Sequence, residues 1–230
     1  MHDVPAKPGV TVRGRETMDD VGKGRAQTKH RPETVLKRRE ILRAASEVFG
    51  MKGSAKGTLE EIANKVGMTR AGILHHFGSK RALLLAVLQY RDSSAVADLE
   101  YHHMPGGADL FRHLKATAHR NEERPGIVYT FVTLSAESIT EGNPGHDYFL
   151  QRYGNLRDEI AEALIDMAKE RRATINMDKV LMASASILAV MDGLQLQWLL
   201  DGKDINLPKV TEYAIDTIVD SVLPGSKLTA

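Results

Sequence analysis

Cysteine is absent from the 230-residue chain, and with it go disulfides, thiolate metal sites and cysteine nucleophiles. Residues 1–31 are polar and basic without an apolar run, so no signal peptide is read there, and the longest apolar runs elsewhere read as too short to span a bilayer. A cytoplasmic protein with no membrane partner is expected. Catalytic signatures are missing too: there is no GxSxG elbow, no GxxxxGKS/T phosphate loop and no GxGxxG. Glu137 and Glu141, four residues apart, can share a helix face, where solvated or capping roles are commoner than a carboxylate dyad. Nine histidines are present, but His102 and His103 are adjacent, His113 and His119 are six apart, and no HExxH occurs. They read as dispersed surface histidines, with no metal and no cofactor expected.

What is present is enough apolar sequence for a packed core and an uneven distribution of charge. Hydrophobic residues make up 42% of the chain and charged residues 27%, which predicts a folded soluble protein of one large domain, or of a small and a larger one. Residues 1–80 hold 16 Lys+Arg against 9 Asp+Glu, net +7, while residues 81–230 hold 15 against 21, net −6. The basic end suits a polyanion, because each lysine or arginine seated on a phosphate releases condensed counterions. Alone, the asymmetry is equally a solvated surface.

Residues 58–80, TLEEIANKVGMTRAGILHHFGSK, give that charge a purpose. Thr58 and Glu61 stand in the spacing of a capping box. Leu59, Ile62, Ala63 and Val66 then follow at i, i+3, i+4 and i+7, which predicts one buried stripe. Gly67 ends that helix where a left-handed backbone is cheap, and Thr69 caps the next. Ile73 and Phe77 supply the buried side of the second helix, leaving Arg70, Ala71, Leu74 and His75 outward. Two short helices joined by a glycine turn make a device that reads DNA.

Around this pair the chain reads as helical from Pro32 onward. A first helix is expected from Pro32 or Glu33 to about Lys52, stopped by Gly53, with Leu42, Ala45, Val48 and Phe49 inward. Ser79 is the expected cap of a fourth helix reaching Tyr101, with Leu83, Leu84, Val87 and Leu88 inward. Pro and Gly clusters at 104–107, 124–126 and 143–145, then Met177 and Pro208, punctuate five more, for about nine in an all-α fold. Residues 1–31 read as a disordered basic arm, with Lys23, Arg25, Lys29 and Arg31 near its end. The domains expected are that arm, a helix-turn-helix domain over 32–90, and a helical domain over 91–230.

The run from Ile41 to Leu88, above all Phe49, TLEEIANKVGMTRAGILHHF and GSKRALLLAV, resembles the N-terminal domain of the TetR family of bacterial transcriptional regulators. The resemblance implies that Thr58, Thr69 and Lys80 meet DNA phosphates, and that Arg70 reads a base, as a guanidinium does against guanine N7 and O6. It places Ala71, Leu74, His75 and His76 on the same surface. Leu74 departs from the family pattern, which most often has a tyrosine there; leucine donates no hydrogen bond but can meet a thymine methyl.

For residues 91–230 the resemblance implies effector binding and dimerisation. The last two long helices are apolar over more than one face and need a further neighbour. Leu188, Met191, Leu196, Leu199 and Ile218 are the expected contacts of a homodimer across a two-fold axis. Phe111, His119, Tyr129, Phe131, Tyr153, Gln195 and Trp198 are the candidate lining of a pocket for a small-molecule effector. The function implied is a repressor released from a palindromic operator, double-stranded DNA, by that effector. The alternatives are a TetR-like protein that binds DNA without a small ligand, and an α-helical metal-dependent enzyme.

Overall fold

The structure is a computed structural model that describes residues 32–95 and 104–226. The arm over 1–31, the end of the fourth helix toward Tyr101 and the His102–His103 pair lie outside the described residues. Within them are nine α-helices and no strand. They are α1 (Pro32–Lys56), α2 (Leu59–Lys65), α3 (Arg70–Phe77), α4 (Lys80–Ala95), α5 (Gly107–Glu122), α6 (Pro125–Glu137), α7 (His146–Arg171), α8 (Met177–Leu200) and α9 (Leu207–Val222).

Local chemistry accounts for most boundaries. Gly53, at φ 76° and ψ 168°, breaks α1 where the sequence placed its stop, and one further turn runs on to Lys56. The Asn176 side chain accepts from the Lys179 amide at 3.1 Å and Asn206 from Lys209 at 2.9 Å, capping α8 and α9, with Pro208 in the first turn of α9. Ser79 caps α4, its Oγ accepting from the Ala82 amide at 3.0 Å.

Two cores result, and they are not cut cleanly between the halves of the chain. The first gathers Ile41, Ala45, Phe49, Ile62, Ile73, Phe77, Leu83 and Val87 of α1–α4, but also Phe131 and Leu134 of α6 and Phe149 of α7. The second lies among α5, α7, α8 and α9 around Leu110, Phe111, Leu164, Ile187 and Ile215. α6 therefore belongs in part to the reading head. It crosses α1 closely: a Cβ on Gly50 would lie 2.5 Å from Thr130 Oγ1. Beyond that crossing the Ser54 amide donates to Glu137 Oε2 at 2.7 Å.

α8 corrects one reading of the sequence. Its 24 residues, with a mean hydropathy of 1.4 in the best window, are long and apolar enough to cross a membrane by length and composition. Asp178, Lys179, Asp192, Gln195 and Gln197 interrupt the uninterrupted runs but not the average. One face, with Val180, Ala183, Ile187, Leu188 and Met191, is buried against the second core, as in a core helix of a soluble protein.

Candidate nucleic-acid interface and cavity

The reading head is built as its sequence requires. Thr58 Oγ1 accepts from the Glu61 amide at 3.2 Å and Glu61 Oε2 accepts from the Thr58 amide at 3.1 Å, closing the capping box. Gly67, at φ 63°, makes the turn, and Thr69 Oγ1 accepts from the Gly72 amide at 3.1 Å to start α3. Leu59, Ile62, Ala63 and Val66 are buried, as are Ile73 and Phe77. The α3 N-terminus is left facing solvent, with Thr69, Arg70 and Ala71 exposed and the helix amides pointing outward toward where an anion would sit.

The remaining candidate DNA residues stand in different circumstances. Arg70 Nε is 3.1 Å from Glu60 Oε1, an ion pair between two side chains that are each 60% exposed. His75 is exposed. Leu74 is not fully outward: it is half-buried and packs on the first core, so its side chain turns toward the fold because α3 rolls its apolar side inward there. His76 is half-buried; the Arg38 guanidinium donates to its carbonyl and stacks over Phe77 at 4.2 Å. Burial, with His75, Arg38 and Lys37 nearby, holds the His76 imidazole below its usual range. Lys80 Nζ donates to the Ala55 carbonyl at 3.0 Å. A cation at a helix N-terminus, a poor place by its own dipole, is thus placed at the C-terminal end of α1, where it is favoured.

Several residues of the head escaped the sequence reading. Lys37 Nζ donates to the Val66 carbonyl at 2.9 Å, tying α1 to the end of α2, and Glu60 holds Arg70. The only signal for Glu60 was its place in the first turn beside the recognition helix, which does not reveal a partner ten residues away.

Behind the head, α4–α8 line a cavity of about 650 Å³ that is open on one side. Of the candidate pocket residues, Phe131, Tyr153 and Gln195 line it. The other four do not. Phe111 is wholly buried in the second core, and His119 is exposed with Nε2 2.7 Å from Glu212 Oε1. Tyr129 is 46% exposed on the outer side of α6, along a separate groove against α1 and α4. Trp198 stands over Gly202 at the end of α8, past the cavity. Their helix turns carry them elsewhere, which an aromatic count does not show.

The cavity is more polar than an aromatic list suggests. Asp92 sits between Arg91 at 3.3 Å and Arg152 at 3.0 Å, and the Tyr148 hydroxyl donates to the same carboxylate. Arg91 and Arg152 lie over the Phe131 ring at 3.9 and 5.4 Å from its centroid. The Tyr153 hydroxyl donates to Asp192. Burial raises the Asp192 carboxyl above its ordinary range, against the pull of that hydrogen bond and of Arg91 and Arg152. Burial and the adjacent Asp92 raise the Tyr148 hydroxyl, and burial and Asp192 that of Tyr153, keeping both protonated donors. A charge inside otherwise apolar helices, Arg91-Asp92 in α4 and Asp192 in α8, was the signal in the sequence.

His113 lines the cavity at 6% exposure, and burial together with Arg120 depresses its pKa. A histidine kept neutral by the fold takes up a proton more readily when unfolded, so stability is lost as pH falls through the unfolded value, about 6.5. Urea unfolding at pH 7.5 and 5.5 is expected to show this decline, shallower in His113→Gln; equal slopes in the two proteins would remove His113 as a cause.

The candidate dimer residues divide by face. Leu188 and Met191 are buried in the second core and line the cavity. Leu199 and Ile218 are half-buried. Leu196 is exposed, on a strip of α8 that also carries Leu181 and Leu200, with Tyr213 of α9 72% exposed.

The comparisons with known proteins agree with this architecture. A family model described as "Bacterial regulatory proteins, tetR family" matches residues 41–87. The transcriptional repressor BepR of Brucella suis is 25% identical over 199 residues, spanning 83% of this chain and 93% of that protein. The regulator SrpR of Pseudomonas putida is 44% identical over 54 residues, 24% of this chain and 25% of that one. Among solved structures, SmeT, the repressor of the Stenotrophomonas maltophilia multidrug efflux pump SmeDEF, aligns with a TM-score of 0.65 at 18% identity, over 84% of this chain and 96% of its own. FadR of Bacillus subtilis, solved with stearoyl-CoA, aligns with a TM-score of 0.66 at 13% identity, over 80% and 98%. At those identities the structures speak for the fold; the sequence matches carry the assignment of the head. The head over residues 41–87 is that of the TetR family, and the chain is a DNA-binding transcriptional regulator.

Proposed function

We propose that the protein is a homodimeric repressor that binds a palindromic operator through α3 and leaves it when a small molecule fills the α4–α8 cavity. The observation that carries this reading is Phe131, which belongs to the core of the reading head and also lines the cavity. A ligand that moves α6 moves the wall of the head, and only a ligand with different affinity for the two arrangements can shift their populations. SmeT has been solved with triclosan and FadR with stearoyl-CoA, which supports small-molecule control here. Domain limits near residue 90 suit this scheme, with α6 as the shared element. Such a protein works in the cytoplasm.

In this reading Thr58 and Thr69 offer helix N-termini to phosphates, Arg70 reads a base, and Ala71, His75 and the half-buried Leu74 and His76 complete the surface. The exposed strip of Leu181, Leu196 and Leu200 with Tyr213 seats the second copy, whose α3 reaches the next major groove about 34 to 36 Å away. Sedimentation of the protein and mobility-shift titration on the DNA upstream of its own gene test the scheme together. A dimer whose salt-sensitive binding is relieved by a small molecule is expected. A monomer, or binding indifferent to every compound tried, would refute it.

Lys80 gives a sharper test, since it holds Ala55 in the free protein. An ammonium has three donors, so it can keep that carbonyl and still meet a phosphate. Lys80→Ala is expected to weaken binding to all sequences alike and to make the slope of log affinity against log salt shallower by about 0.9 per half-site. An unchanged slope would confine Lys80 to fastening α4 to α1.

A further inference from the structure

Three polar side-chain atoms left without a hydrogen-bond partner belong to residues lining the same cavity: Arg152 Nε, Glu159 Oε2 and Gln195 Oε1. Buried polar groups are normally paired, and a buried one that has given up water without replacement calls for a partner. Gln195 is 4% exposed, and its Nε2 donates to the Met191 carbonyl at 3.2 Å. That bond fixes the amide, since a flip would set two acceptors against each other, so the oxygen is the free end.

The unpaired atoms are not alike. Along α7, Arg152, Leu156 and Glu159 follow at i, i+4 and i+7; along α8, Leu188, Met191, Asp192 and Gln195 share the opposing face. The α7–α8 wall thus presents acceptors: the Glu159 and Asp192 carboxyls and the Gln195 amide oxygen. Asp192 has the Tyr153 hydroxyl, while Glu159 Oε2 has nothing. Nearer α4, Arg152 shares Asp92 with Arg91, at 3.0 and 3.3 Å, and its Nε–H is left a donor without an acceptor.

We propose that the cavity binds an organic ammonium whose apolar body carries an oxygen acceptor, the ammonium N–H groups meeting Gln195 Oε1 and Glu159, and the oxygen meeting the Arg152 Nε–H. The assignment rests on the reading of this cavity as the effector site. At the α7–α8 wall a cation gains a charge-assisted hydrogen bond from Glu159 and the attraction of Asp192, whereas an anion would be repelled there and drawn instead toward Arg91, Arg120 and Arg124 on the α4–α6 side of the lining. An apolar molecule would leave all three protein atoms unpaired. A volume of about 650 Å³ admits a ligand of two fused rings with a short chain.

Three probes of one shape separate these outcomes: naphthyloxypropylamine, naphthyloxypropanol and naphthyloxypropanoate, titrated calorimetrically into the full-length protein. The amine is expected to bind about tenfold or more tighter than the other two, the scale of a hydrogen bond to a charged group. In Glu159→Gln, which keeps shape, and in Gln195→Met, which keeps volume, that preference is expected to shrink toward unity. The preference of the unaltered protein needs no variant to be informative. Equal or tighter binding of the carboxylate or the alcohol overturns the inference, as does the failure of all three to bind. The effector reading has its own control in Thr117→Trp, which fills the cavity. If binding of these probes survives that substitution, the cavity is not where they bind, and both readings fall. If it is lost but the amine has no advantage, only the ammonium assignment falls.

Discussion

Arg70→Ala is expected to weaken operator binding by about 1 to 3 kcal/mol in each half-site and to relax preference at one base pair there, with little effect on folding. The last part follows from its exposure: the Arg70–Glu60 pair lies in water on both sides, and such pairs contribute about 0 to 1 kcal/mol. Losing it therefore costs little stability; in the proposed complex the pair is kept through Nε, and what Glu60 supplies is orientation. A guanidinium held at Nε presents its terminal nitrogens forward, the edge that pairs with guanine N7 and O6. In the proposed dimer the losses of two half-sites add, since the sites are far apart. Mobility shifts on operator and on random DNA at one salt concentration measure the effect. A loss of the same size on both would assign Arg70 to the backbone instead. Glu60→Gln serves as the companion: it should leave stability unchanged and alter discrimination more than non-specific affinity.

The head was legible because its determinants are local. Capping box, apolar stripe, glycine turn and second cap all lie within 58–80, and each bond they predict is made between residues three or four apart. What was not legible there is long-range: Lys80 on Ala55, Lys37 on Val66 and the half-buried turn of Leu74 depend on how α1 packs across the pair. The cavity shows the same division. Helix limits in the second part could be read from Pro and Gly punctuation, but the roll of each helix could not. Phe111 and Phe131 look alike in the sequence, yet one is plain core and the other is cavity wall. Selecting aromatics favoured Trp198 and Tyr129 and passed over Arg91, Asp92, Arg152 and Asp192. A charged residue on the buried side of an apolar helix is the better marker, because burying it demands a partner or a wet space. Leu188 and Met191 lie in the second core for a related reason: α8 is apolar over more than one face, so hydrophobicity does not say which side is buried within the chain and which is left exposed.

Phe131→Ala is expected to be the most damaging single change in the second part of the chain. The ring is 3% exposed, stands 5.5 Å from Phe149 and fills space in the core of the reading head. Truncations of buried phenylalanine cost about 3 to 5 kcal/mol, a large share of the roughly 5 to 15 kcal/mol that holds a domain together. Arg91 and Arg152 also lose the ring face they share, and the shared site means that the two losses will not simply add. Urea unfolding followed by circular dichroism reads the stability, and a loss below about 1 kcal/mol would show that α6 is not integral to the head. Phe131→Leu separates packing from signalling. Leucine restores much of the lost volume but presents no π face to the arginines, so the folded protein should bind operator nearly as well as the unaltered one. Its release by an effector should be blunted, because the element that touches both the cavity and the head is now loosely fitted to each. Full release by the same effector concentration in Phe131→Leu would mean that the signal reaches α3 by another route, of which α4, carrying Arg91 and Asp92 at the cavity and Lys80 at the head, is the one the fold provides.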